Sequence, residues 1–312
     1  MIVMIMGYNG SGKTTLAQEF VNNGYYRVNR DEIGGKLKDL HLHLEKVLER
    51  GCTKIVTDNT FRDVVARKPI IDVAKKWNIP IRCIHLSTSL EESQYNACQR
   101  MIRKYGKLLS PEEMKKSKDP NSFPPAALFG YRNAFQAPSL EEGFENIETK
   151  PFIREFSDNK QKALILDYDG TLRKSTGKYD FPISPKEVEI LPNRKNMLQN
   201  YIDNGYLLLG VSNQSGIAKG IAKEQDVVDC FKKTNELLGF DIDYRYCPHS
   251  IPPVKCYCRK PHVGLGVLLI ERYKLNPEHC LMVGDQTTDK TFASRCGFQY
   301  SHPEDFFQCT IS

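Results

Sequence analysis

The chain has 312 residues, 40% of them hydrophobic and 26% charged, with a net charge of +6. That length predicts two domains of about 100–200 residues each, and the charge fraction is ordinary for a globular protein. No apolar run approaches the roughly 18 residues of a membrane span, so no membrane-spanning helix is expected, and the apolar opening Met1–Met6 lacks the basic leader and cleavage site of a signal peptide.

In chain order, Met1–Met6 reads as a buried first strand, followed by a glycine loop and a helix from about Gly12 to Asn23. A short strand is expected over Tyr25–Asn29. Leu37–Arg50 carries leucines at helical spacing, Lys54–Thr57 is a short apolar strand ending at Asp58, and Asp63–Trp77 is a helix with Trp77 packed beside Pro80. Ile81–Leu86 is a strand and Leu90–Tyr105 a helix. Ser110–Ser139, rich in Lys, Pro and Ser, reads as an irregular surface segment. Phe152–Phe156 is expected to be the strand that closes the first half. The polar run Ser157–Lys162 is the expected linker, giving domains over 1–156 and 162–312. Ala163–Leu166 opens a second series, with later strands at Tyr206–Val211, Ile242–Tyr246 and Cys280–Val283. Strands alternating with amphipathic helices predict α/β domains with parallel sheets.

Charge is uneven: 24 Lys/Arg face 19 Asp/Glu in residues 1–157, against 20 and 19 in the rest. A small surplus of this kind suits an anionic partner but is equally a solvated surface. Of ten cysteines, Cys52, Cys83, Cys98, Cys230, Cys280, Cys296 and Cys309 are scattered, as small buried apolar residues would be. With no signal segment the expected compartment is reducing and intracellular, nucleus and cytoplasm not being separated.

Gly7-Tyr8-Asn9-Gly10-Ser11-Gly12-Lys13-Thr14 is a complete phosphate-binding loop in strand–loop–helix context. Its glycines let backbone N–H groups close around phosphate oxygens, and the helix N-terminus adds partial positive charge. Gly7, Gly10, Ser11, Gly12, Lys13, Thr14 and Thr15 are the candidate ATP-binding residues, with Lys13 on the β- and γ-phosphates and Thr14 on Mg²⁺. A kinase also needs a carboxylate to take the acceptor's proton. Asp31, after the second strand, is placed for that, and Asp58 for holding a metal or a water. Arg100 and Arg103 share one helix face and could cap the triphosphate, although an exposed basic face explains them too.

Together with Val-Asn-Arg-Asp at 28–31, Thr-Asp-Asn-Thr at 57–60, Gly130–Pro138 and Glu142-Gly143-Phe144, this loop resembles the kinase domain of polynucleotide kinase-phosphatases over nearly all of residues 1–155. The resemblance implies that Asp31 activates the 5′-hydroxyl of a nucleic acid strand and that Arg100 is a lid arginine on ATP. The phage enzyme's extra arginine after this aspartate is absent, Gly34 standing instead as in the animal enzymes.

Asp167-Tyr168-Asp169-Gly170-Thr171 follows an apolar strand. Alternate residues at a strand end project to one side, so Asp167 can attack phosphorus while Asp169 protonates the leaving oxygen. Mg²⁺ would screen nucleophile from substrate. Ser212, Lys260 and Asp285 recur in order after later strands; Asp167, Asp169 and Asp285 are the expected metal ligands. These four parts resemble the haloacid dehalogenase superfamily, and the short stretch between Thr171 and Pro192 implies a minimal cap. Cys247, His249, Cys256 and Cys258 form a Cys₃His set of the kind that binds structural Zn²⁺. The set runs straight into Arg259-Lys260-Pro261, so zinc would anchor the loop that carries Lys260.

That loop resembles histidinol-phosphate and heptose-bisphosphate phosphatases. Phe181-Pro182-Ile183, Ile190-Leu191-Pro192, Ser212–Ile217, Arg259-Lys260-Pro261 with Gly264, and Pro303–Phe307 instead resemble the phosphatase domain of polynucleotide kinase-phosphatases, whose animal members lack the zinc ligands.

The expectation is therefore a P-loop kinase fold followed by a haloacid dehalogenase-like Rossmannoid fold. It would heal nucleic acid ends, DNA or RNA, by phosphorylating a 5′-hydroxyl and removing a 3′-phosphate, so that a ligase can follow. The alternatives are a small-molecule kinase fused to a sugar-phosphate phosphatase, and an inactive nucleic-acid-binding scaffold.

Overall fold

The computed structural model describes residues 1–250 and 255–308. Cys309, read above as a buried thiol, lies outside them. None of the described helices is long and apolar enough to cross a membrane. The chain divides into two compact units, Met1–Ala97 with Met114–Arg154, and Cys98–Glu113 with Glu155–Ser312.

The first unit has a five-stranded parallel sheet built from β1 (Ile2–Met6), β2 (Tyr26–Val28), β3 (Ile55–Asp58), β4 (Ile81–Leu86) and β5 (Asn146–Lys150), in the order β2-β3-β1-β4-β5. β1 is buried at all five positions. Its alternate residues enter two cores: Ile2, Met4 and Met6 pack with Leu44, Ile55 and Ile70, while Val3 and Ile5 pack with Ala17 and Ile84. That is the continuous apolar run expected of a strand covered on both faces. The helices of the first half are α1 (Lys13–Asn22), α2 (Arg30–Ile33), α3 (Leu40–Glu49), α4 (Val64–Lys76), α5 (Leu90–Tyr105), α6 (Pro111–Lys116) and α7 (Pro125–Ala134), with the end of α5 from Cys98 and the start of α6 to Glu113 belonging to the second unit. Leu40, Leu44, Val47 and Leu48 form the buried stripe of α3, and Asp63 caps α4 by accepting from the Ala66 N–H at 2.8 Å.

Two expectations are corrected. Phe152–Phe156 is not a strand; the closing strand is β5, paired with β4 from Arg82↔Asn146 to Leu86↔Lys150. β5 is a half-exposed edge reading Asn-Ile-Glu-Thr-Lys, so it carries little apolar signal. Nor is Ser110–Ser139 irregular throughout. Ser110 Oγ accepts from the Glu113 N–H and Glu113 accepts from the Ser110 N–H, a reciprocal cap that starts α6. Pro125 opens α7, which buries Leu128 and Tyr131.

The second unit repeats the scheme. β6 (Ala163–Leu166), β9 (Leu207–Asn213), β10 (Asp243–Cys247), β11 (Leu281–Val283) and β12 (Gln299–Ser301) form a parallel sheet in the order β10-β9-β6-β11-β12. Between Thr171 and Pro192 stands only the antiparallel pair β7 (Arg173–Ser175) and β8 (Val188–Ile190) with one 3₁₀ turn. The helices are α8 (Arg194–Asp203), α9 (Ser215–Ala218), α10 (Glu224–Leu238), α11 (Gly264–Tyr273), α12 (Thr287–Cys296) and α13 (Pro303–Gln308). In each unit the strand order reverses at the first strand, β1 or β6, and ligand crevices of open parallel sheets lie at the carboxyl ends of strands at such a point.

One buried ion pair braces the first unit. Arg67, 0% exposed on α4, makes a bidentate pair with Glu142 at 2.7 and 2.8 Å. It also donates to the carbonyls of Phe61 and Gln136. Removing one partner leaves a buried charge alone, so Arg67→Ala should destabilise the first unit by about 3–5 kcal/mol. Denaturant unfolding checks this, and a loss below about 1 kcal/mol would show that the pair behaves as if exposed.

Candidate functional site

The loop between β1 and α1 is the first site. Gly10 has φ +82°, and a Cβ there would lie 3.0 Å from the Ser93 carbonyl, so the turn requires glycine. Lys13 Nζ donates to the carbonyls of Gly7, at 3.0 Å, and Tyr8. α5 supports the loop: Asn96 Nδ2 donates to the Gly10 carbonyl at 2.8 Å, while Asn96 Oδ1 accepts from Arg154, whose Nε donates to Glu92 at 2.9 Å. Thr88 Oγ1 donates to the Ser11 carbonyl at 3.1 Å. Thr14 and Thr15 open α1 and are exposed.

Asp31 stands on α2, half in solvent, where its carboxylate pairs with Arg30. Its height is set by Asn29, which caps α2 by accepting from the Asp31 N–H at 2.7 Å and donates to the Asp58 carbonyl at 2.6 Å. Asp58 lies at the end of β3. It is 1% exposed, and both carboxylate oxygens accept from Arg27 at 2.7 Å. Arg27 also pairs with Glu32 and comes within 3.5 Å of Thr14 Oγ1. An isolated arginine on a three-residue strand carried no signal of this, so Arg27 was missed. Arg100 is half-buried on α5; Arg103, one turn on, pairs with Glu271 within the second unit at 3.0 Å.

The second site lies at the carboxyl ends of β6, β9 and β11. A cavity of about 590 Å³ is lined by Asp167, Asp169, Asp180, Phe181, Ser212, Gln214, Lys260, Asp285 and Asp289 among others. Lys260, 2% exposed, places Nζ 2.9 Å from Asp167, 2.6 Å from Asp289 and 2.9 Å from the Val211 carbonyl. Asn213 holds its backbone on both sides, donating to the Lys260 carbonyl and accepting from its N–H. Burial opposes charge on Lys260, but Asp167 and Asp289 overcome it and hold its pKa above the usual lysine value. Burial pushes Asp167 up to about 7, against the pull of Lys260 and with help from Asp289 and Asp169.

Asp167, Asp285 and Asp289 bring oxygen atoms within 4.8 Å of one another, and Asp285 Oδ1 is buried without a hydrogen-bond partner. Such an oxygen is what a cation would satisfy. Gly170, at φ +81°, leaves room for this, since a Cβ there would meet Asp285 at 2.6 Å. The Asp289 carboxylate joins Asp167 and Asp285 in this cluster, while the Asp169 side chain accepts from Arg173, at 2.8 Å, and Gln214, at 2.7 Å. Asp289 sits four residues after Asp285, and that spacing gives no indication of its proximity to Lys260.

Cys247, His249, Cys256 and Cys258 also converge within 4.8 Å. Cys247 and Cys256 sulfurs are 3.7 Å apart, and His249 Nδ1 lies 3.5 Å from Cys247 and 3.3 Å from Cys258. A disulfide would need about 2.05 Å. Four ligands around one ion with metal–sulfur bonds of about 2.3 Å have edges of about 3.8 Å, so the quartet has the geometry of a tetrahedral metal site.

Fold and sites together define a P-loop kinase-type domain joined to a haloacid dehalogenase-like phosphatase domain. Residues 2–116 match the family model described as an AAA domain, and residues 162–307 match the model described as polynucleotide kinase 3 phosphatase. The bifunctional polynucleotide phosphatase/kinase of Schizosaccharomyces pombe is 36% identical over 160 residues, 50% of this chain and 35% of that protein. The chain thus spans about a third of that relative's length. A probable D-glycero-D-manno-heptose-1,7-bisphosphate 7-phosphatase of Thermoplasma volcanium is 36% identical over 141 residues, 43% of this chain and 92% of that protein. A solved structure of the Pnkp1/Rnl/Hen1 RNA repair complex aligns with 96% of this chain and 94% of its own, at 16% identity and a TM-score of 0.34. The chain therefore carries an AAA-type kinase domain followed by a polynucleotide kinase 3 phosphatase-type domain.

If the Cys/His quartet is a metal site, the purified chain should carry about one equivalent of a thiophilic divalent ion that Cys256→Ser removes. Elemental analysis of both proteins checks this; equal metal content would count against the site.

Proposed function

We propose that the chain is a nucleic acid end-healing enzyme that transfers the γ-phosphate of ATP to a 5′-hydroxyl and removes a 3′-phosphate. The observation that carries this reading is the pairing, in one chain, of a phosphate-binding loop at one switch point with an Asp167–Lys260 pair at another, both within matches to the family models.

In the kinase reaction Lys13 exchanges its loop carbonyls for the β- and γ-phosphate oxygens, Thr14 would hold Mg²⁺, and Arg100 would neutralise the triphosphate. Asp31 leaves Arg30 and takes the proton of the 5′-hydroxyl, whose oxygen attacks the γ-phosphorus as the bond to the bridging oxygen breaks.

In the phosphatase reaction an Asp167 carboxylate oxygen attacks phosphorus. The ester P–O bond breaks, and its electron pair leaves with the oxygen that takes a proton from Asp169. A water then attacks the phosphorus of aspartyl-phosphate 167 and gives its proton to Asp169, and the P–O bond to Asp167 breaks, releasing phosphate and the free carboxylate. Lys260 and Ser212 hold the phosphoryl oxygens. Asp167 and Asp285 would hold Mg²⁺, which screens the two anions from each other. Zn²⁺ on Cys247, His249, Cys256 and Cys258 would fix the segment leading to Lys260 and take no part in the chemistry.

A second reading, a phosphatase for sugar bisphosphates, is favoured by the Cys/His quartet and the Thermoplasma volcanium relative. Matched DNA and RNA oligonucleotides with 5′-hydroxyl and 3′-phosphate ends, assayed beside sugar bisphosphates, separate the two. No label transfer from ATP to any oligonucleotide would remove the end-healing reading.

Asp31→Asn should lower 5′-phosphorylation by about 10²–10⁴-fold and leave 3′-dephosphorylation intact, with Asp167→Asn doing the converse. If either single change silenced both reactions, two independent sites would be untenable.

The raised Asp167 pKa gives a further expectation. Its neutral form favours folding in full below the unfolded value of 3.8, and this contribution is lost as pH rises through about 7. Mg²⁺ binds the ionised carboxylate, so the Mg²⁺-induced rise in Tm should be larger at about pH 8 than at about pH 5. Equal shifts in differential scanning calorimetry would argue against Asp167 as a ligand.

A further inference from the structure

We propose that Arg173 is the positioning residue for the proton carrier of the phosphatase reaction, an inference that rests on the reading of Asp169 above. Arg173 begins β7, four residues after Asp169, and is 0% exposed. A tight turn brings the two together: the Arg173 N–H donates to the Tyr168 carbonyl at 3.0 Å, and the Gly170 N–H donates to the Arg173 carbonyl at 2.9 Å. Nε then donates to Asp169 Oδ1 at 2.8 Å. The far end of the guanidinium is fixed by α10, where Nη1 donates to Thr234 Oγ1 at 2.9 Å and Thr234 Oγ1 donates to the Cys230 carbonyl at 2.7 Å. Aromatic rings close the sides, Phe231 at 4.8 Å and Tyr168 at 5.2 Å from the guanidinium carbon.

A buried arginine needs a carboxylate and carbonyls to offset its desolvation. Arg67 in the first unit finds them in Glu142 and loop carbonyls. The ion pair of Arg173 is instead with Asp169. The two carboxylate oxygens of Asp169 have different company. Oδ1 is held from the interior by Arg173. Oδ2 accepts from Gln214 Nε2 at 2.7 Å, and Gln214, which lines the cavity beside Ser212, is the partner a substrate oxygen can displace. Arg173 therefore anchors one oxygen so that the other faces the pocket in a single orientation. Without the anchor, Asp169 keeps its place in the chain but its carboxyl turns freely, and proton delivery to the leaving oxygen falls. Nucleophilic attack by Asp167 does not need that anchor.

The consequence is a dependence on the leaving group. Phenolate leaving from phenyl phosphate needs protonation far more than p-nitrophenolate does. The test uses the full chain with Mg²⁺ and these two substrates, so it does not require the natural substrate to be known. Asp169→Asn should raise the ratio of p-nitrophenyl to phenyl phosphate kcat/KM, which reports only the steps up to aspartyl-phosphate formation, by more than about tenfold. Arg173→Met should raise the same ratio while retaining kcat/KM for p-nitrophenyl phosphate, which reports that fold and nucleophile are intact. Arg173→Lys should fall between wild type and Arg173→Met, and Thr234→Val should shift the ratio several-fold. If Asp169→Asn leaves the ratio unchanged, Asp169 is not the proton carrier and the mechanism above fails. If Asp169→Asn shifts the ratio but the Arg173 and Thr234 variants lower both substrates equally, or neither, Arg173 is only structural and the inference is overturned. Should Arg173→Met not fold, Arg173→Lys and Thr234→Val decide on the same ratio.

Discussion

A parallel sheet delivers all its strands' carboxyl ends to one edge, and every candidate catalytic group of this chain depends on that constraint. In the first unit the edge collects the loop after β1, Asn29 and α2 after β2, and Asp58 at the end of β3. In the second it collects Asp167 after β6, Ser212 on β9, Cys247 on β10 and Asp285 after β11. Groups separated by more than a hundred residues meet because their strands share direction and register, and because the order reverses at β1 and β6.

Placement to the ångström is then achieved by buried charge. Arg27 on Asp58, Arg67 on Glu142, Arg173 on Asp169 and Lys260 between Asp167 and Asp289 are all ion pairs with at least one nearly inaccessible member. Such pairs are weak stabilisers overall, because desolvation offsets the attraction, but breaking one is costly. Their value here is geometric. Each leaves a carboxylate one low-energy position, which suits a site that must line up attacking, leaving and proton-carrying atoms.

The glycine loop, the Asp167–Thr171 segment and the Cys/His spacing were legible because their chemistry depends on residues close in sequence. Helices α3 and α5 were legible from apolar periodicity. β5 was not, because an edge strand with polar residues differs little from a loop until β4 pairs with it. α6 was overlooked although Ser110 and Glu113 stand at capping-box spacing, since lysines and prolines dominated the surrounding composition. Gly130–Pro138 and Glu142 could be quoted as a resemblance without a role. The structure makes part of that stretch the partner of Arg67: the Gln136 carbonyl and the Glu142 carboxylate both accept from it.

What the sequence by itself determined is a set of local patterns: a glycine loop, a paired aspartate and a Cys/His quartet, each with backbone requirements met within a few residues. What only the tertiary structure decided is which side chains partner one another. Asp58 pairs with Arg27, Asp289 joins Lys260 and Asp167, and Asp169 is tied to Arg173. The physical reason is that a buried charge must find its counterion in space, and the fold, not the spacing along the chain, sets which one is within reach.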